Sequence, residues 1–371
     1  MGTLGTPGAV TVVPIYWDPT SSLAPAYKSV INGFVTNVAA DSGALTNVFS
    51  VLLQYGIHYD VQAGAPITDT DPFPPNGCTP DTGSIYGDNS GYTSCLTNAQ
   101  IQSEVTATLS ANSLPSDLAH LYVVFLPKGV ESCSTSANGA LNGTCSVNGS
   151  KSSYYCGYHG SISNSPPIYA VLPFPIYNSP TLKTCSSQVN PGNESPNGEL
   201  DADVAVSTLS GEMTDAITDP EGTAWYDRKG KEIGFDCQFF YGSVLGGVTP
   251  GGLFNQIING GHYFLQEELS NEDYLVHRGT ACIQRVDLPI ATFRIAPRAP
   301  RAGKSARFNA KRSRGSHLSY AWSFGDNSSG TGVRTSHAYT TAGTYTVTLT
   351  ITDTVGLQDT TASTSHIVTV R

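Results

Sequence analysis

"LSYAWSFGDNSSGTGVRTSHAYTTAGTYTVTLTITDTVG", Leu318 to Gly356, alternates polar and apolar residues and is punctuated by Gly, Asp and Asn. A period of two puts successive side chains on opposite faces, so the stretch reads as short antiparallel strands joined by tight turns. The texture begins near Pro289, and the charge changes with it. Residues 1–293 hold 9 Lys/Arg against 26 Asp/Glu, whereas residues 294–371 hold 10 against 3. Two modules are therefore expected, 1–288 and 289–371, the second all-β. Eight of its ten basic residues fall between Arg294 and Arg314. Such a run could touch nucleic acid or an acidic polysaccharide, but it reads first as a solvated domain edge, and no nucleic-acid partner is expected.

The first module mixes periods. "VTVVPIYW" (Val10 to Trp17), "HLYVVFLP" (His120 to Pro127) and "IYAVLPFP" (Ile168 to Pro175) suit buried strands. Between them, Tyr27, Val30, Ile31, Phe34, Val35 and Val38 recur at helical spacing. Further helices are expected over Ala44 to Tyr55, stopped by Gly56, and over Gln100 to Leu109. The stretch Gly129 to Pro167 reads as loop. Alternating helices and strands argue for an α+β domain with a mixed sheet.

All eight cysteines, 78, 95, 133, 145, 156, 185, 237 and 282, belong to this module, and none forms a Cys-x-x-Cys pair. An even count in Gly/Ser/Asn-rich loops suggests four disulfides and an oxidising, extracellular setting. Sequential pairing (78–95, 133–145, 156–185, 237–282) closes short loops and is the expected connectivity. No apolar run approaches the roughly 18 residues that span a bilayer. Met1-Gly2-Thr3 opens without a charged and then apolar leader, so any export signal is expected to have been removed. Asn142, Asn148, Asn193 and Asn327 begin glycosylation sequons, which matter only for a eukaryotic source.

"STLSGEMTDAITDP", Ser207 to Pro220, carries the chemistry. Residues i and i+4 share a helical face, and in zinc peptidases a His directly before a Glu grips one ion together with a ligand one turn on. Here Gly211 takes the His position, Glu212 stands where a general base would, and Asp215 where an oxygen ligand would. Ser207 and Ser210 lack a Gly-x-Ser-x-Gly setting, which argues against a serine hydrolase. "GGVTPGGLF" (Gly246 to Phe254) lacks the Lys-Ser/Thr of a phosphate loop.

The second module resembles a PKD (polycystic-kidney-disease-type) domain through Tyr320, Trp322, Phe324, Gly325 and Asp326, then His337 and Tyr339, then Gly343, Tyr345 and Val347. The resemblance implies an immunoglobulin-like sandwich with Trp322 and Phe324 in the core and a turn at Gly325-Asp326. The first module resembles the EXORDIUM-like, phosphate-induced secreted family and its bacterial, metallopeptidase-like relatives. The pieces are "VTVVPIYW", "LLQYG", "YVVF", "CGYHG", "SGEMTDAITDP", "AWYD", "KEIGFDC" and "INGGHYFLQEELSN". This implies a zincin-like α+β fold. The sequence departs from the family pattern at Gly211 for His, at Phe235 with Asp236 displaced by one in "EIGFDC", which would turn its carboxylate to the other side of the expected strand, and at Leu269 for Trp.

Under that resemblance Asp215 and Asp236 are the expected metal ligands, with Asp219 or His159 completing the set. Glu212 is the expected base, and His262 a donor to substrate or intermediate. Zinc is the family's metal, but an oxygen-rich set would favour calcium or magnesium. The plainer readings are a solvated acidic helix face for Glu212, Asp215 and Asp219, a structural His159, and a strand residue at His262. Two functions follow. One is a secreted, monomeric metal-dependent hydrolase, a peptidase acting on protein or cell-wall polymer, whose PKD domain grips the substrate or surface. The other is an inactive cell-wall or surface-binding relative that has lost its metal at Gly211.

Overall fold

The structure is a computed structural model and describes residues 8–83, 90–135, 141–146, 153–175, 194–227, 229–248, 251–271, 274, 281–286, 288–315, 317–353 and 361–371. The chain divides into two compact units: residues 1–52, 57–270 and 279–285, and residues 53–56, 271–278 and 286–371.

The first unit is built on a six-stranded mixed sheet. Its strands are β1 (Val10–Trp17), β2 (Val61–Ala63), β3 (Ile67–Asp69), β5 (His120–Phe125), β9 (Tyr158–Ser161) and β10 (Ile168–Leu172). The order is β2-β1-β5-β10-β9, with β3 also on β1; all pairs are parallel except β9 with β10. The central strands are apolar at almost every position because both faces are covered. Val13, Ile15 and Trp17, with Tyr122, Val124, Tyr169 and Val171, pack on Ile101, Val105 and Leu109 of helix α2 (Asn98–Ala111). Against the other face lie α1 (Pro25–Ala40) and α3 (Leu200–Thr218), which pack on each other. The Tyr16 hydroxyl reaches Asn32 of α1 at 2.8 Å. Tyr27, Ile31, Phe34, Val35 and Val38 form the buried stripe of α1, as their spacing requires.

Three expectations are corrected. Ala44 to Tyr55 is a turn followed by a 3-10 helix, Val48–Tyr55, rather than an α-helix. Gly129 to Pro167 is no plain loop: β6 (Val130–Thr135) pairs with β4 (Ser94–Thr97) and β7 (Leu141–Cys145), and β8 (Ser153–Tyr154) adds to β7. Its Gly/Ser/Asn-rich composition hides the strands, which the bridge between the paired Cys133 and Cys145 holds in register. "EIGFD" is a short helical turn, α4 (Ile233–Asp236), not a strand. Cys78–Cys95, Cys133–Cys145 and Cys237–Cys282 are bridged, and Cys156 is disulfide-bonded too, while Cys185 lies outside the described residues.

The second unit is a two-sheet sandwich. One sheet is β15 (Arg294–Ala296), β16 (Ser305–Asn309) and β19 (Arg334–Ala338). The other runs β18 (Ser329–Thr331), β17 (Leu318–Ser323), β20 (Gly343–Asp353) and β21 (Thr361–Val370). Phe293, Phe308, Trp322, Phe324, Tyr339, Val347, Leu349, Ile351, Val368 and Val370 fill the space between. Trp322 and Phe324 are thus core, and the indole donates to the Gly332 carbonyl at 2.9 Å. In the turn after β17, Asp326 accepts from the Ser328 amide and hydroxyl and meets His337 Nε2 at 2.7 Å.

Candidate acid cluster and cavity

Helix α3 runs from two acids in its first turn to Asp219 at its C-cap and is buried along most of its length. Glu212 and Asp215, three apart, share the face turned toward β9 and α4. That face borders a cavity of about 750 Å³, whose polar lining includes His159, Glu212, Asp215, Glu232 and Gln266.

His159 stands on the edge strand β9 with its ring 5% exposed. Nε2 lies 2.9 Å from the Asp219 carbonyl and so carries the proton it donates there. Nε2 is also 3.4 Å from Glu232, and Nδ1 is 3.5 Å from Glu212. Burial opposes charge on this ring, but the hydrogen bond to Glu212 and the charges of Glu232, Glu212 and Asp215 push it up to about 10. His159 is therefore the buried cation of an acid cluster.

Asp215 is held by the Gly234 amide, which donates to Oδ1 at 2.6 Å. A Cβ at residue 234 would lie 2.9 Å from Asp215 Oδ2 and 3.1 Å from Glu268 Oε2, so only glycine lets α4 approach both carboxyls. Burial first, then repulsion from Glu232 and Glu212, raises the Asp215 carboxyl well above its usual range. Glu268, on β13 (Glu268–Leu269), is fully buried, and neither of its oxygens accepts a hydrogen bond. The donors beside it, Thr214 and Gln266, each bond a backbone carbonyl: Thr214 Oγ1 to that of Gly211 at 2.9 Å, and Gln266 Nε2 to that of Gly234 at 3.1 Å. Burial first, then the neighbouring Asp215, push the Glu268 carboxyl well above its ordinary range, with Thr214 and Gln266 acting against the rise. Glu232 is raised to about 7, by burial first and then by Glu212 and Asp219, with His159 acting against the rise.

Four of the six residues expected from the sequence meet here, though not all through their side chains. His159, Glu212 and Asp215 do. Asp219 offers its carbonyl to His159, while its carboxylate accepts from the Ala224 amide at 2.5 Å and shapes the turn after α3. Asp236 is turned away and pairs with Lys231 at 3.7 Å, because the helical turn, unlike a strand, puts Glu232 on the cavity side. His262 lies on β12 (Gly261–Tyr263) and stacks on Phe254 with ring centres 3.9 Å apart, outside the cavity lining. Glu232, Gln266 and Glu268 were missed, although two of the quoted motifs, "KEIGFDC" and "INGGHYFLQEELSN", contain them.

The donor set bears on a metal. Of the expected site residues, only His159 Nδ1 and Glu212, the expected base, approach as two ligands of one ion would, and the position of the family's imidazole ligand is Gly211. A Cβ there would stand 2.6 Å from Gln266 Nε2, so the space a His would use is occupied by an amide hydrogen-bond donor. Among the described residues, the groups of three potential ligands that converge within 4.8 Å are Cys78/Cys95/Cys133, Glu131/Cys133/Cys145 and Asp69/Asp71/Glu104, all outside this cavity. As arranged, the cluster does not offer zinc three ligands.

Comparison with known proteins bears on the second unit. The chain is similar to the PKD1 domain of Vibrio anguillarum Epp at 32% identity, covering 23% of this chain and 96% of that one, with a TM-score of 0.20. It is similar to the PKD1 domain of the Vibrio cholerae metalloprotease PrtV at 30% identity, covering 23% and 98%, TM-score 0.19. A structure described for carbohydrate-binding modules of the β-sandwich superfamily shares 30% identity over 23% of this chain, TM-score 0.21, and the match spans only 34% of that chain. No curated protein matches. The PKD-domain family profile matches residues 286–368, leaving residues 1–285 outside the match. Its Trp322, Phe324, Asp326 and His337 sit in the sandwich as that resemblance requires, and residues 286–368 belong to the PKD domain family.

Proposed function

We propose that the first unit is a secreted hydrolase that works by acid–base chemistry in the α3 cavity, with the PKD domain as its surface- or substrate-binding accessory. The observation that carries this reading is Glu232, a carboxyl poised at about 7 on the wall of a cavity large enough for a polymer segment. A group titrating there can take a proton from water as it attacks a carbonyl, then return that proton to the leaving amine. The atoms balance as amide plus water giving acid plus amine, and unstructured protein is the substrate class favoured. Glu212 faces Glu232 across His159, whose positive charge holds the two carboxylates together. The zincin-like, EXORDIUM-like kinship of this unit remains part of the proposal, but no step is routed through a metal.

The test is hydrolysis of an unfolded protein by the purified chain, with Glu232→Gln and Glu212→Gln beside it. Activity that survives chelators and falls at least about a hundredfold in Glu232→Gln supports the reading. Activity abolished by chelators points instead to a metal site completed by other residues. The second reading, an inactive surface-binding relative, is favoured by one observation: the Gln266 amide fills the space a ligand at 211 would need. No hydrolysis in any condition selects it.

A further inference from the structure

The PKD sandwich turns two chemically opposite faces to solvent. On the three-stranded sheet, register sets Arg294 beside Asn309 and Asn309 beside Arg334; in the next row Ala296 pairs with Arg307, and Arg307 with Ser336. All of these are exposed, whereas the intervening Ala306 and Phe308 are buried. Three guanidinium groups therefore share one face. Strand spacing puts the Cα atoms of Arg294 and Arg334 about 10 Å apart, with Arg307 about 7 Å along the strands. Lys311 and Arg312, also exposed, follow directly in the turn after β16. The described carboxylates of this domain lie elsewhere: Asp326 is bound to His337 and Asp353 is buried.

Among the described residues, the outer face of the other sheet carries no charge. Ser319, Thr352 and Thr361 form one row across β17, β20 and β21, and Ser323, Thr348 and Ser365 another. Cross-strand hydroxyl pairs such as Thr348–Ser365 at 2.8 Å and Thr350–Ser363 at 2.9 Å knit that face. Solubility alone would not sort the arginines onto one sheet and leave the other neutral.

We propose that the β15-β16-β19 face binds an anionic polysaccharide carrying carboxylate or sulfate groups along its chain. This rests on reading the second unit as a binding module and is independent of the hydrolase assignment. Arginine's planar fork matches carboxylate and sulfate oxygens two at a time. The residues between the arginines are Ala, Ser and Asn, which leave a flat surface that a sugar chain can lie along. The face has no aromatic ring on which bases could stack, which disfavours single-stranded nucleic acid. It also has no apolar anchor or pocket of the kind that dominates protein interfaces. The net charge of the whole chain, -10, repels polyanions in general, so any such binding must come from the local arginine cluster.

The experiment measures binding of the full chain to polygalacturonate, dextran sulfate, duplex DNA and insoluble neutral cellulose at low and moderate salt. The comparison is the triple variant R294Q/R307Q/R334Q, with its melting curve recorded to show that it remains folded. The expected result is binding to one or both polysaccharide anions that weakens roughly tenfold in the triple variant and falls with added salt. Replacing the three by Lys should restore part of the affinity, since charge returns without the fork. Which polyanion binds tells uronate from sulfate. Four results overturn the proposal: no binding to either polyanion, undiminished binding by the folded triple variant, affinity restored in full by Lys, or equally tight, arginine-dependent binding to duplex DNA. Binding to cellulose alone would leave the binding-module reading standing and remove this one; binding to no polymer would remove both.

Discussion

The two units handle ionisable groups and cohesion in opposite ways. The first gathers Asp215, Glu232 and His159 on the wall of a cavity, with Glu268 buried beside Asp215, and is stapled by disulfides. The second keeps Arg294, Arg307 and Arg334 on an exposed sheet face, contains no cysteine, and rests on one aromatic and aliphatic core. Burying like charges costs folding free energy, and covalent closure of loops offsets it by restricting the unfolded chain. A sandwich that leaves its charges in water has no such cost to offset. A polar buried cluster in a stapled domain thus reads as a site retained for its chemistry, whereas the charge on the sandwich reads as a contact surface.

The largest effect that could break this contrast is reduction. The three described bridges span 17, 12 and 45 residues in sequence, and loop closure assigns each about 3–4 kcal/mol. Together these rival the whole stability of an ordinary domain. A thiol reductant should therefore speed amide exchange throughout β1, β5 and α3 while strands 343–353 and 361–370 stay protected. Equal loss of protection in both units would sink the comparison.

A smaller effect is pH, and here the units should move in opposite directions. In the first unit the folded pKa values of Glu232 and His159 are raised, so the folded state holds protons that the unfolded chain has already released. Stability is then fully present below the unfolded values and is lost as pH rises, from about 4.5 to about 7 for Glu232 and from about 6.5 to about 10 for His159. Glu232 alone accounts for on the order of 3 kcal/mol. The melting temperature of the first unit should fall between pH 5 and pH 9, and Glu232→Gln should flatten the acid half of that slope. A melting temperature that rises over this range would show the carboxyls ionised and compensated by something other than His159.

The smallest effect sharpens the other side. Burial opposes ionisation of Asp326, but hydrogen bonds from Ser328 and His337 hold its carboxyl below the usual range. Its contribution is present above the unfolded value and is lost as pH falls through the depressed one. Asp326→Asn should cost the second unit about 1 kcal/mol at neutral pH and nothing in acid. An undiminished cost at pH 3 would mean that the turn geometry, not the charge, carries the effect.

Much of the frame was legible in the chain. The helical stripe of α1, the three central strands and the cores of the sandwich strands follow from spacing alone, because long apolar periods have one way to be buried. Sequential cysteine pairing proved right for the three bridges described. The strands between Gly129 and Pro167 were not legible, since Gly, Ser and Asn signal turns and only the neighbouring β4 and the Cys133–Cys145 bridge make them pair. In the site, the sequence identified the helix but not its partners. "KEIGFDC" offers two carboxylates, and whether Glu232 or Asp236 faces the cavity depends on that segment being a helical turn.

The sequence by itself determined what local period and composition encode: two modules of opposite charge, their element types, the bridging of the first, and the PKD motif of the second. Only the tertiary structure decided which acids meet. Glu212 lies 53 residues from His159, 20 from Glu232 and 56 from Glu268 along the chain. What brings them together is the packing of α3 against β9 and α4 and of α4 against β13, where a missing Cβ at Gly234 permits contact. It also decided the fate of position 211, where the Gln266 amide fills the space a metal-binding imidazole would occupy. Such juxtapositions are long-range steric facts, and no pattern along the chain carries them.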